Sequence, residues 1–127
     1  MSPLRYRRVW LAIGFGLVAL VIYLSLTPSP PDMPEVASVK TGHFVAYAVL
    51  MLWFAQLYPS LRTRLVLFAA FVLLGVTLEY AQSLTGYRSF SPSDMVDNAI
   101  GVLIGLGLAS TPLGAALIRI ERMIGAD

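Results

Sequence analysis

The sequence predicts an all-α membrane protein: a four-transmembrane-helix bundle with antiparallel neighbours and both termini cytoplasmic, one domain over residues 1–127. Three observations carry that reading. Hydrophobic residues make up 57% of the chain and charged ones 13%, about half the roughly 25% charged content of a soluble domain. Four apolar runs, near 9–26, 43–58, 65–84 and 94–118, alternate with short connections. Of the nine basic residues, Arg5, Arg7, Arg8, Arg62, Arg64, Arg119 and Arg122 fall on one side of such a bundle, and only Lys40 and Arg88 on the other. Basic connections stay cytoplasmic, which sets the orientation.

Val9–Leu26 carries no charge and, at 1.5 Å per residue, reaches about 27 Å, enough to span. The arginines before it look like the start of a signal peptide. The apolar run is longer than such a peptide needs, however, and no small-x-small cleavage site precedes the prolines, so the run reads as a retained span. Thr27–Val39 holds Pro28, Pro30, Pro31 and Pro34 and is expected to run extended. His43–Tyr58 reaches only about 24 Å unless Lys40–Gly42 supply its first turn. Pro59–Thr63 reads as a turn. Leu65–Leu84 is interrupted only by Glu79 and Gln82, near its far end. The last run opens on Ser91-Pro92-Ser93-Asp94, with Ser91 as N-cap, Pro92 at the first helical position and Asp94 closing a capping box. Pro112 either kinks its final turns or marks an end at Ser110.

Placed on these spans, the polar residues converge. Glu79 falls about 7–8 Å below the mouth of the third span, and Asp97 and Asn98 lie about one turn into the fourth. Three spans thus bring charge or amide to one layer of the outer leaflet, where a mid-span carboxylate costs about 2.5–3.5 kcal/mol on insertion scales. Lys40, His43 and Tyr47 share a face of the second helix; Gly75, Glu79 and Gln82 share one on the third; Asp94, Asn98, Gly101 and Gly105 share one on the fourth. Together they describe a polar pocket opening outward.

Each residue also has a plainer reading. Asp94 serves equally as a helix cap. Glu79 fits a neutral structural acid bonded to Gln82 or Asn98, or an ion pair with Lys40, His43 or Arg88. His43, the single histidine, fits either a donor to a neighbouring carboxylate or a proton acceptor paired with Glu79 or Asp94. Arg88 suits an anionic headgroup or simple snorkelling. Tyr47, Trp53, Tyr58 and Tyr80 read as interface anchors or packing. Gly101-x-x-x-Gly105 reads as a close helix-packing face, within the chain or in a homo-oligomer.

Several classes are excluded or disfavoured. The absence of cysteine removes disulfides, thiolate metal sites and cysteine nucleophiles. A net charge of +2, dispersed along the chain, does not suit nucleic acid. No nucleotide loop, HExxH motif or nucleophile elbow is present, so neither cofactor nor resident metal is expected.

The segments Lys40-Thr-Gly-His-Phe-Val-Ala-Tyr47, Gly75-Val-Thr-Leu-Glu-Tyr-Ala-Gln82 and Arg88 through Gly105 resemble the VanZ-like family. In that family the second helix opens Lys–x–x–His–Phe–x–x–Tyr, matched by Lys40, His43, Phe44 and Tyr47. Glu79 and Gln82 match a Glu–x–x–Gln pair. Arg88, Asp94, Asn98, Gly101 and Gly105 match an Arg followed by Asp–x–x–x–Asn–x–x–Gly–x–x–x–Gly. Val39 departs from a common Asp, and Asp97 is an extra acid where the pattern is apolar or small. The resemblance implies a four-helix integral protein of the bacterial cytoplasmic membrane, its founding members associated with resistance to the lipoglycopeptide teicoplanin.

The residues support a leading expectation and two rivals. The pocket binds or acts on a cell-envelope or lipid-linked molecule, such as a cell-wall precursor or the lipoglycopeptide. In the enzyme version His43, Glu79 and Asp94 exchange protons while Lys40, Tyr47, Gln82, Arg88 and Asn98 bind the substrate. In the scaffold version the buried polar groups only hold helices together or recruit a partner. A transporter fits least, since no polar residue lies in the inner half of any span.

Overall fold

The computed structural model describes residues 4–26, 39–85 and 92–125, with the side chains of 39–43 and 92–94 outside the description. Among the described residues the chain is helical throughout, with no strand: α1 is Arg7–Leu26, α2 Val39–Leu57, α3 Leu61–Leu84, α4 Pro92–Leu108 and α5 Ala116–Met123, with a 3₁₀ turn at Pro112–Ala115 between the last two. Lys40–Gly42 do form the first turn of α2. The helix α3 begins two residues inside the expected turn, and Pro92 stands at the first position of α4, where its missing N–H costs nothing. The proline-rich connection and the Ser91 cap lie outside the described residues.

In the last element the run to 118 is broken at Pro112, the kink the sequence offered as one outcome. The helix α4 stops at Leu108, and the chain bends by 75° before α5. Thr111 makes the break: its hydroxyl donates to the Leu108 carbonyl and accepts from Leu113 N–H at 3.2 Å, closing one helix and opening the next turn. Pro112 has no N–H with which to continue α4.

By length and apolarity α1 and α3 can cross a membrane, and α4 with the bent α5 makes a third candidate. The apolar part of α2, Phe44–Leu57, is shorter. The burial pattern separates α2 from the others. It carries Tyr47, Leu50, Met51, Phe54, Ala55 and Leu57 in the core and packs against α1, α3 and α4. In α1 only Gly14 is buried, while Val9, Ile13, Phe15, Leu20 and Tyr23 are exposed. Leu65, Val66 and Leu73 on α3, and Val96, Ile100 and Leu103 on α4, are exposed as well. Large apolar side chains facing outward suit a lipid surround rather than water.

Rings tie α1, α2 and α3 together. Trp10 meets Trp53 edge-on at 5.9 Å, Phe15 meets Phe54 at 5.5 Å, and Phe54 meets Phe71 at 5.5 Å, all offset geometries that ring quadrupoles favour. Gly14 admits this contact, because a Cβ there would stand 2.8 Å from the Phe54 ring.

The arginine-rich end is closed by side chains bonded to helix ends. Arg7 donates to the Leu57 carbonyl and lies over the Tyr58 ring at 4.6 Å. Arg64 Nε reaches the Ala55 and Tyr58 carbonyls, each at 3.0 Å. Both arginines thus satisfy the carbonyls that the last turn of α2 leaves open. Gln56 Oε1 accepts from Leu117 N–H at 2.8 Å, supplying the cap that α5 lacks locally. Glu121 spans the chain: its carboxylate accepts from Arg5 N–H at 2.7 Å, Tyr6 N–H at 3.0 Å and Trp10 Nε1–H at 2.6 Å. Burial alone would raise the pKa of this acid. The bonds from Tyr6, Trp10 and Arg5, with the Arg5 charge, outweigh burial and hold its carboxyl below the ordinary value.

Candidate functional site

Helix packing fixes the level of each polar residue. A Cβ on Gly101 would collide with the Phe44 carbonyl, and one on Gly105 would come within 2.7 Å of Met51 Cβ and against the Ala48 carbonyl. The two glycines therefore let α2 and α4 lie backbone to backbone, running parallel, with Gly101 beside Phe44 and Gly105 beside Ala48. Continued one turn outward, that register brings Asp97 level with Lys40. The close face is spent inside the chain, so a second copy could use Gly101 and Gly105 only by displacing α2. On the other flank of α4, a Cβ on Gly75 would stand 3.1 Å from Asn98 Cβ and Nδ2. This contact is antiparallel, and one turn outward Glu79 comes level with Asp94.

The described candidates gather around these contacts. Glu79 is 1% exposed, Gln82 3%, Asn98 3% and Tyr47 2%, so all four are interior groups rather than headgroup contacts. Of its two plainer readings Tyr47 takes packing, as a core residue, and not that of an interface anchor. Its side chain lies within electrostatic range of Glu79 on α3. Gln82 acts as a cap for another helix, since its Nε2 donates to the Ser25 carbonyl at 2.7 Å and so closes the free end of α1. Glu79 and Asn98 each have interaction partners. Two buried oxygens differ: the Tyr47 hydroxyl and Asp97 Oδ2 have no hydrogen-bond partner among the described residues. The side chains of Lys40, His43 and Asp94, and all of Arg88, lie outside the described residues. Among those described, no group of three metal-ligating side chains occurs.

Sequence reasoning placed Asp97 in the polar layer but read it as a departure from the family pattern and gave it no role. The signal was available, since an acid one turn before a buried glycine on a lipid-embedded helix is costly unless used. It also missed Glu121, whose partners lie 116 and 115 residues away.

Apolar-faced helices, a glycine-mediated contact and an interior layer of acid, amide and phenol define a helical protein built for a membrane, with polar groups kept away from its surface. Within that class the chain belongs to the VanZ/LLP1 family, whose model matches residues 9–117. A protein of Schizosaccharomyces pombe described as "Uncharacterized protein C11E3.10" is 30% identical over 103 residues, covering 79% of this chain and 62% of that protein. The chain thus spans less than two thirds of the length of that relative. No solved structure matches.

Proposed function

We propose that the chain crosses the bacterial cytoplasmic membrane four times, with both termini cytoplasmic, and that its interior polar layer opens to the outer leaflet to bind a lipid-linked or cell-envelope molecule. The observation that supports this reading is the Tyr47 hydroxyl, on a residue buried to 2% exposure and without a hydrogen-bond partner among the described residues. A buried hydroxyl without a bond loses its hydration with nothing in return, and a ligand oxygen supplies the missing partner. Asp97 Oδ2 adds a second open valence. Lys40 and Arg88 supply cationic charge for a phosphate-bearing ligand, and Gln82, already bonded to Ser25, frames the rim. A relative in a yeast, a cell without peptidoglycan, draws the ligand class toward lipid-linked molecules generally; teicoplanin is then one special case.

The nearness of Tyr47 to Glu79 favours one second reading, in which the layer is catalytic and His43, Glu79 and Asp94 move protons on a bound lipid-linked substrate. Glu79→Gln separates the readings in a deletion strain complemented at matched expression. It keeps size and hydrogen-bonding capacity and removes the ionisable proton. Normal membrane levels with lost complementation are expected. Full complementation would remove proton transfer and leave binding or scaffolding. Reporters after Asp127 and within Thr27–Val39 test sidedness, and are expected to read cytoplasmic and external.

A further inference from the structure

Between α1 and α3, floored by α2, runs an open-sided slot of about 360 Å³. Phe15 and Val18 of α1 and Phe54 of α2 form one side, and a stripe on α3 from Thr63 through Leu67 and Ala70 to Leu74 forms the other. At 1.5 Å per residue the stripe is about 16 Å long, close to the roughly 15 Å that one leaflet contributes to a 30 Å hydrocarbon core. Polarity is confined to one mouth, where Thr63 and Tyr58 line the slot and Arg7 lies over the Tyr58 ring. Arg8 and Arg62, in the first turns of the two walls, are exposed at that same end. Arg7 and Arg64 are committed to carbonyls of α2, whereas Arg8 and Arg62 have no partner among the described residues.

We propose that this slot holds one acyl chain of an anionic glycerophospholipid, with its phosphate gripped at the mouth by Arg8, Arg62 and the Thr63 hydroxyl. Length selects an acyl chain in a single leaflet, and the uncommitted guanidiniums select a headgroup with net negative charge. A zwitterionic choline headgroup would bring its own cation to the same arginines. The site is separate from the Glu79 layer and does not depend on the reading of that layer.

Native mass spectrometry of the full chain tests it, with palmitoyl-oleoyl phosphatidylglycerol and phosphatidylcholine offered at equal concentration in detergent. The chain is expected to retain one phosphatidylglycerol with about a tenfold preference, in line with two arginines near a charged surface. Arg8→Gln with Arg62→Gln brings the two lipids to parity. Ala70→Trp, at an exposed slot position, removes both; Val66→Trp is the second such variant should the first fail to elute as folded protein. Equal retention of both lipids by the unaltered chain overturns the proposal, as does phosphatidylglycerol retention that survives filling the slot. A dimer abolished by Ala70→Trp would assign the slot to a second copy instead.

Discussion

At the arginine-rich end of the bundle, buried polarity is matched to backbone. Arg7 and Arg64 close α2, Gln56 opens α5, and Glu121 gathers the amides of the turn that leads into α1. Around the outward half of α2, α3 and α4 the pattern differs. Gln82 caps α1 in the same manner through Ser25, but the Tyr47 hydroxyl and Asp97 Oδ2 bond to nothing among the described residues. The first region behaves as a set of caps, each satisfying a group that a helix end must leave open. The second keeps polar atoms beyond what its helix ends require. Among the described residues helix capping accounts for the polar groups of one end and not for all those of the other, which is why the layer around Glu79 is the candidate site.

The largest expected effect breaks the frame that holds the outward layer level. Gly101→Leu drives a side chain into the Phe44 backbone, which cannot yield as a flexible side chain would. A loss of about 3 kcal/mol, at the upper end of ordinary overpacking, is expected, read as a fall in folded, monodisperse protein and in its denaturation midpoint. Smaller in effect is the acid at the other end. With the Glu121 carboxyl held below its ordinary value, its contribution is complete above the ordinary carboxylate range and is lost as pH falls through the lowered folded value. The stability of the unaltered chain should therefore fall on acidification, and Glu121→Gln should flatten that dependence while speeding amide exchange at Arg5 and Tyr6.

A matched pair then measures the contrast itself. Gln56→Leu removes an acceptor in use and leaves Leu117 N–H open, costing about 1 kcal/mol in a chemical denaturation series. Tyr47→Phe removes a hydroxyl without a partner, so stability should stay within about 0.5 kcal/mol or rise slightly, while complementation falls. A stability loss in Tyr47→Phe as large as that in Gln56→Leu would erase the distinction between the two regions.

The two regions were not equally legible in the sequence. Glu79, Gln82 and Asn98 stood out because amides and acids inside apolar runs are expensive, and that expense depends only on neighbours in sequence. The boundaries of α1, α2 and α3 followed from the same apolar runs. The end of α4 was legible only as a choice between a kink at Pro112 and an end at Ser110, because Leu113 through Ile118 continue the apolar character past the break made by Thr111 and Pro112. The caps were harder still. Arg7 and Arg64 read as orientation signals, and nothing local marks them as carbonyl ligands. Glu121 sits between Ile120 and Arg122 like any acid on an amphipathic tail, and its partners belong to the other end of the chain. Long-range satisfaction of backbone groups leaves almost no trace in spacing.

The Glu121 bridge also sets an order of events during biosynthesis. Arg5 and Tyr6 leave the ribosome before the carboxylate that receives their amides, which follows 116 and 115 residues later. Until then the leading turn of α1 has only water or lipid headgroups to bond. Helix α1 thus emerges before α2–α5 and is secured only after them, so its position stays adjustable while the α2–α4 contact forms.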